Sequence, residues 1–282
     1  MFNKLRLKKQ AKDTEQSPAQ LEDLEVTASQ SEEKQEYITN SDSDKVQQKW
    51  PVRKEYDPSQ PLLKVRGVTR DFVVGGQTLH VLKGIDMEVQ PGQLVILRGR
   101  SGSGKTTLLN MLGGLDLPTS GEIEFRGDIL SAWNDDKRTL TRRDDIGFIF
   151  QAYALMPLLS AYENVELSLR MANIPRQLWD ERVRHCLDLV GLGKRMKHRP
   201  FEMSGGEQQR VAIAKSIAHK PLLLLADEPT ANLDTQTVAQ VMGVFQQIIR
   251  SENISICMAT HDPTILEVAD HVYEMVDGKF VS

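Results

Sequence analysis

A glycine-rich stretch in the first half of the chain combines residue types and spacing that suit phosphate binding. Gly99-Arg-Ser-Gly-Ser-Gly-Lys105-Thr106 fits the pattern G-x-x-x-x-G-K-[ST] and stands between a strand-like and a helical pattern. Its glycines permit a sharp turn that points backbone N–H groups at phosphate, and the helix N-terminus adds partial positive charge. We expect Lys105 to contact the β- and γ-phosphates of a nucleotide, Thr106 to bind Mg²⁺ and Thr107 to donate near the α-phosphate. The predicted phosphate-binding residues are Gly99, Arg100, Ser101, Gly102, Ser103, Gly104, Lys105, Thr106 and Thr107.

Two carboxylates follow an apolar run in the second half of the chain. Residues 222–226 are all Leu or Ala and lead directly into Asp227 and Glu228. A continuous apolar run is typical of a strand buried on both faces, and open α/β sheets bind ligands at the carboxyl ends of such strands. Asp227 would hold Mg²⁺ through a water molecule, and Glu228 would act as general base toward an attacking water. Each motif alone has a plainer alternative, a surface turn or solvated strand-end carboxylates, but their occurrence in one chain favours a nucleotide site.

Alternating strand and helix patterns surround these motifs. Such alternation predicts an α/β fold with a mostly parallel sheet. A Gly75-Gly76 turn separates the first two strands, and a helical block from about 152 to 204 interrupts the sheet elements. Strands are predicted at 62–68, 79–89, 94–98, 121–125, 146–150, 222–226, 254–260 and 271–276, and helices at 105–113, 160–171, 176–190, 205–219 and 235–250.

Composition excludes some classes of function. The 282 residues have a net charge of −4, which argues against nucleic acid as the main partner because phosphate backbones favour basic surfaces. Cys186 and Cys257 could pair in principle, but they lack the spacing of a disulfide framework, so a reducing cytosolic compartment is expected. No stretch approaches the roughly 18 apolar residues that span a bilayer. Work at a membrane would therefore need another chain.

Residues 1–58 differ from the rest of the chain. They are polar, contain no glycine and would bury little apolar surface, so we predict a disordered tail with a helical patch near 19–28. Its first dozen residues are basic and could contact an anionic membrane surface, although a solvated tail is the simpler interpretation. The folded domain is predicted over 59–282.

A second glycine motif identifies a family. Met203-Ser-Gly-Gly-Glu-Gln-Gln-Arg210 resembles the ABC signature, usually written LSGGQ, with Met as a volume-conserving change from Leu. Alone it could be a simple helix N-cap. Together with the phosphate loop and acidic strand end, it makes residues 61–282 similar to the ATP-hydrolysing subunits of ABC transporters. The resemblance implies ATP and Mg²⁺ as cofactors, and a dimer in which Ser204, Gly205 and Gly206 of one chain cap the nucleotide of the other.

The same resemblance implies a fold and four further site residues. The fold is a P-loop NTPase ABC nucleotide-binding domain, with a mostly parallel core sheet, an antiparallel β subdomain and an inserted α-helical subdomain. Phe72 stands where the family stacks an aromatic ring on adenine, and Gln151 resembles the Q-loop glutamine that contacts Mg²⁺ or water. Asp234 closes a D-loop that crosses the dimer interface. His261 resembles the switch histidine that contacts the γ-phosphate. Because each motif is intact, a homodimer is favoured, although an intact paralogue could replace one chain.

Shorter segments resemble one subfamily. Gly113–Gly121, Gly147–Gln151 and Glu163-Asn-Val165 look like those of macrolide-export, lipoprotein-release and antimicrobial-peptide-resistance ATPases. The resemblance implies a peripheral subunit at the cytoplasmic face of the cell membrane that drives a separate transmembrane permease. A regulatory ATPase of the cell-division type, which moves no substrate, is the alternative. A soluble translation or DNA-repair protein is disfavoured, since the chain has one cassette and no heptads before the signature.

The residues after Gln151 leave a further choice open. Tyr153, Leu155, Met156 and Leu158 are apolar and could line a groove for a coupling helix of the membrane subunit. They could equally form the core of the helical block.

Overall fold

The computed structural model describes residues 50–51, 56–231 and 233–281. The predicted tail, its helical patch and its basic membrane contact fall almost wholly outside the described residues and stay predictions. The strands are β1 (Leu63–Val74), β2 (Gln77–Val89), β3 (Leu94–Arg98), β4 (Ser120–Phe125), β5 (Asp128–Ile129), β6 (Ile146–Ile149), β7 (Leu223–Asp227), β8 (Ser255–Thr260), β9 (His271–Val276) and β10 (Lys279–Val281). The α-helices are α1 (Lys105–Leu112), α2 (Asp135–Asp144), α3 (Ala161–Met171), α4 (Trp179–Leu189), α5 (Gly205–Ile217) and α6 (Thr235–Glu252).

A six-stranded sheet forms the centre of the fold. Its strand order is β10-β9-β3-β8-β7-β6, with every pair parallel except β10 with β9. Strands β3, β7 and β8 are buried along almost their whole length, as their uninterrupted apolar sequences predict. The expectation of a mostly parallel core sheet is confirmed.

Successive side chains of β3 point to opposite faces of this sheet and so join different cores. Val95 and Leu97 pack with α1 and with the four-stranded antiparallel sheet β2-β1-β4-β5. Leu94 and Ile96 pack instead with apolar residues of α3 to α6. The central sheet therefore lies between an antiparallel β layer and a helical layer, and the predicted α/β fold class is confirmed.

Capping residues set where two helices of the helical layer begin. Ser160 caps α3 through a capping box with Glu163, whose carboxylate accepts a hydrogen bond from the Ser160 N–H at 2.7 Å. Ser204 and Glu207 repeat the arrangement at the start of α5, where the corresponding distance is 2.9 Å. These caps begin helices at defined residues, so the signature motif lies at a helix N-terminus.

The structure extends the predicted elements in several places. Strand β1 continues to Val74 rather than ending at 68, since it pairs with β2 up to the Gly75-Gly76 turn. Strands β5 and β10 and helix α2 were not predicted. Helix α2 buries only Thr141 and so has no apolar period; it relies on the Asn134 cap and on acidic and basic residues in its first and last turns.

Cys186 and Cys257 are both buried free thiols, in α4 and β8 respectively. The pairing that was possible in principle therefore does not occur. Over the described ranges, we find no helix with the length and apolar character required to cross a membrane.

Candidate nucleotide-binding site

Strand register brings the predicted motifs to one edge of the central sheet. Arg98, the last residue of β3, pairs with Thr260, and Asp227 at the end of β7 pairs with Ala259. Ile149 of β6 pairs in turn with Ala226. The parallel strands therefore end together, and the segments that follow them meet at this carboxyl edge.

The phosphate loop is a compact turn closed by Lys105. Its ammonium group donates to the carbonyl oxygens of Gly99 (2.8 Å) and Arg100 (3.1 Å), and its side chain is only 5% exposed. A Cβ on Gly99 would lie 2.4 Å from the Met275 carbonyl oxygen, and Gly104 has φ +110°. Neither position accepts another residue without strain. The fold of the loop therefore requires glycine at both positions.

Thr106 and Asp227 form a pair of oxygen donors beside the loop. The Thr106 hydroxyl donates to both carboxylate oxygens of Asp227, at 2.9 and 3.1 Å. Burial raises the pKa of Asp227, and the nearby Glu228 charge adds to that effect, while Thr106 and Lys105 oppose it. A bound cation would stabilise the ionised form of this carboxylate.

Glu228 and His261 lie in direct contact at the same edge. The Nδ1 atom of His261 is 2.8 Å from Glu228 Oε2, and Lys105 Nζ is 3.5 Å from Glu228 Oε1. Glu228 has φ +48°, a conformation that non-glycine residues adopt at a cost. The backbone thus turns this carboxylate out of the strand direction toward the phosphate loop.

Most of these groups line one cleft, although its walls among the described residues do not include Asp227, Gly99, Arg100 or Ser103. Its volume is about 270 Å³, and its walls are Val81, Ser101, Gly102, Gly104, Lys105, Thr106, Thr107, Gln151, Glu228 and His261. Basic, hydroxyl, amide and carboxylate groups converge there on one space. That combination suits a polyphosphate with a bound cation and an attacking water.

Known proteins share this organisation. A family model described as ABC transporter matches residues 82–231. The chain belongs to the ABC transporter family. It is accordingly an ATP-binding, ATP-hydrolysing subunit of a transporter, and the predicted family and enzyme class are confirmed.

Individual relatives indicate the type of ABC ATPase. The chain is 42% identical over 223 residues to the lipoprotein-releasing system ATP-binding protein LolD 1 of Rhodospirillum rubrum, covering 79% of this chain and 99% of the relative. It is 42% identical over 220 residues to the macrolide export ATP-binding/permease protein MacB of Wolinella succinogenes, covering 78% of this chain but 34% of MacB. The predicted resemblance to these two types of ABC ATPase is confirmed.

A solved ABC structure shows the same fold. It is described as a dimeric, post-hydrolysis state of the ATP-binding cassette MJ0796 bound to ADP and Pi. The match has a TM-score of 0.72 and 35% identity, and it covers 78% of this chain and 97% of that chain.

Two predicted site motifs of this ABC ATPase, the signature and the D-loop aspartate, are not part of the cleft. Among the described residues, its walls include neither the signature residues Ser204, Gly205 and Gly206 nor Asp234. The Ser204 hydroxyl accepts a hydrogen bond from the Glu207 N–H, and Asp234 caps α6 by accepting from the Thr237 N–H at 3.0 Å. Within one chain, both motifs therefore act as helix caps.

Phe72 also lies outside the cleft walls, on β1. The Arg70 guanidinium lies over its ring at 4.4 Å from the centroid and donates to Asp116 at 2.9 Å. The adenine-stacking role of Phe72 stays a prediction. Val81 lines the cleft and was not predicted, because an apolar strand residue has no sequence signal for nucleotide contact.

Proposed function

We propose that two copies of this chain enclose two ATP molecules and that hydrolysis drives a separate transmembrane permease of the export or mechanotransmission type. The observation behind this proposal is the incomplete cleft of one chain. Among the described residues, its walls come from the phosphate loop, Gln151, Glu228, His261 and Val81, and do not include the signature residues, which begin α5. A second chain in head-to-tail orientation would bring its Ser204–Gly206 helix N-terminus to the open side. The dimeric state of the MJ0796 cassette supports this arrangement.

The residues present suit Mg²⁺ as cofactor. Among the described residues, no group of three or more His, Cys, Asp or Glu could hold a metal ion alone. Magnesium instead favours one or two carboxylates completed by hydroxyl, water and phosphate oxygens. Thr106, Asp227 and Gln151 would provide the protein's share of that set. Bound there, the ion would neutralise charge on the β- and γ-phosphates.

The chain's own groups supply positioning and proton transfer. Lys105 already lies inside the loop with its ammonium group directed at carbonyl oxygens, which phosphate oxygens would replace. Glu228 would accept a proton from the attacking water, and His261 would fix the orientation of that carboxylate through the 2.8 Å contact. Closure by the second chain would exclude water from the phosphates.

Exposed apolar residues support a membrane partner. Phe150, Met156 and Leu158 are 42%, 48% and 77% exposed in and after the segment that contains Gln151. The alternative that these residues form the core of the helical block is therefore wrong for Met156 and Leu158. Leu155, in contrast, does pack against the helical core. A coupling helix of a permease would cover these exposed side chains. The names of LolD and MacB favour export, and a permease would place the chain at the cytoplasmic face of the membrane.

The first test is the Glu228→Gln variant. It should bind ATP and form an ATP-dependent dimer by light scattering, while its turnover falls about 100-fold or more because the base is lost. Near-normal turnover would remove Glu228 from this role.

The second test asks whether the site is shared between chains. Lys105→Met removes the phosphate loop's charge, and Ser204→Arg blocks the cap; each variant alone should be inactive. A mixture of the two should recover part of the ATPase activity, since the mixed dimer contains one site built from intact halves. Absence of recovery in a mixture shown to form mixed dimers would contradict the shared site.

A further inference from the structure

The segment 150–156, which we call the Gln151 loop, has an unusual backbone. Tyr153 and Ala154 have φ +53° and +50°, so two consecutive non-glycine residues adopt the left-handed conformation. This conformation is unfavourable for residues other than glycine and persists only where surrounding contacts hold the backbone. Asn164 of α3 holds the end of the loop by accepting from the Met156 N–H at 2.8 Å, whereas Tyr153 and Ala154 are contacted from α5.

Lys215 makes the first contact. Its Nζ donates to the Ala154 carbonyl oxygen at 2.6 Å across 61 residues of sequence. The lysine is half-buried in a cleft whose walls include Phe148, Tyr153 and Ser168. Burial lowers the pKa of Lys215. Lysine is rarely buried without a partner, and over the described residues this carbonyl is the hydrogen-bond acceptor found for it.

Tyr153 makes the second contact, toward the opposite end of α5. A Cβ placed on Gly205 would lie 3.2 Å from the Tyr153 hydroxyl oxygen, so the tyrosine side chain lies against the signature glycine. Ala154 and Tyr153 thus contact opposite ends of α5, at Lys215 and Gly205. The loop that follows Gln151 therefore lies along the helix that begins with the signature motif.

We propose that Lys215 and Tyr153 are positioning residues that fasten the Gln151 loop to α5. Gln151 of one nucleotide site and the Ser204–Gly206 cap offered to the other site then move as one unit. This inference rests on the shared dimeric site proposed above. The simpler alternative is that Lys215 only complements the partial negative charge at the C-terminal end of α5, which requires no effect on turnover beyond that of stability.

The test uses the full chain with Lys215→Met, Lys215→Arg and, as matched control, Lys194→Met at an exposed lysine of the helical layer. We expect Lys215→Met to lower kcat about tenfold, since small displacements of catalytic groups are costly, with nucleotide Kd changed less than about twofold. Deuterium uptake by residues 150–158 should rise. Lys215→Arg, which keeps the donor, should retain at least about half the wild-type kcat, and Lys194→Met should match wild type.

A Tyr153→Ala variant adds an independent measurement. It should lower kcat and raise deuterium uptake at both the Gln151 loop and the first turn of α5. Wild-type kcat and wild-type uptake in Lys215→Met would overturn the inference, as would a kcat loss explained entirely by a lower Tm. If the wild-type chain itself lacks ATPase activity, the proposed function fails, while the exchange data still decide whether Lys215 and Tyr153 fasten the loop.

Discussion

The two edges of the central sheet each contain a largely buried carboxylate, and the two behave in opposite ways. At the carboxyl edge, burial raises the pKa of Asp227. At the amino edge, burial alone would raise the pKa of Glu252, but the hydrogen bonds and charges of Arg182 and then His185 hold it below its usual value. One carboxylate is destabilised by its surroundings and the other is stabilised by them.

At the amino edge, Glu252 belongs to a network of ion pairs and hydrogen bonds with α4. Arg182 and Glu252 are 6% and 8% exposed, and their side chains are 2.9 Å apart. Arg182 also donates to the carbonyl oxygens of Ile217 and Ala218, which closes the C-terminal end of α5. His185 contacts Glu252 at 2.6 Å. One residue of α4 thus joins α5 and α6, so this edge serves stability.

The carboxyl edge has the reverse character. Glu228 has a left-handed backbone, and burial, with a smaller contribution from the Glu228 carboxylate, raises the pKa of the neighbouring Asp227. Both features cost stability, and a bound cation would offset the cost of the buried Asp227 charge. Of these two carboxylates, the one in unfavourable surroundings therefore lies at the edge that contains the candidate nucleotide site.

The largest expected effect comes from Arg182→Met. It leaves Glu252 buried without its main partner, and we expect a loss of about 3 kcal/mol in the free energy of unfolding. Urea denaturation measures it. The control is Arg184→Met two residues along α4, where the arginine and its partner Asp180 are 56% and 65% exposed; this change should cost less than about 0.5 kcal/mol. Equal effects of the two variants would remove the distinction between the network and an ordinary surface pair.

At the carboxyl edge, Asp227→Asn should raise the free energy of unfolding. The amide can still accept from Thr106 but carries no buried charge, so we expect a gain of about 1 kcal/mol in unfolding free energy without nucleotide. Hydrolysis should fall sharply because the variant loses the carboxylate that we propose holds Mg²⁺. A stability loss in this variant would show that the carboxyl edge is not electrostatically unfavourable.

The sequence allowed the carboxyl edge to be predicted better than the amino edge. Its groups follow directly after short apolar strands, so the motifs at Lys105 and Asp227 could be located from residue types and spacing, while His261 was assigned from the family resemblance. The order of the strands, and hence which strand ends are neighbours, depends on packing between distant segments and was not predicted.

The amino edge and the Gln151 loop had no local signal. Arg182 and Glu252 are 70 residues apart, and Lys215 and Ala154 are 61 apart. From sequence alone, a basic or acidic residue on a helix is predicted to be solvent-exposed, because its buried partner lies far away in the chain. Helix α2 shows the same limit, because its ten residues bury only Thr141.

The smallest effect tests the sign of both pKa shifts. The pKa of folded Glu252 lies below the unfolded value, so its contribution to stability is present above about pH 4.5 and is lost as pH falls through the folded pKa. The pKa of folded Asp227 lies above its unfolded value, so its ionisation costs stability at neutral pH and costs nothing below about pH 3.8. Unfolding free energies of wild type, Glu252→Gln and Asp227→Asn, measured from pH 7 to about pH 3 without nucleotide, should therefore differ in opposite directions at pH 7 and converge below about pH 4. Differences of the same sign at pH 7, or ones that stay constant down to about pH 3, would contradict the contrast between the two edges.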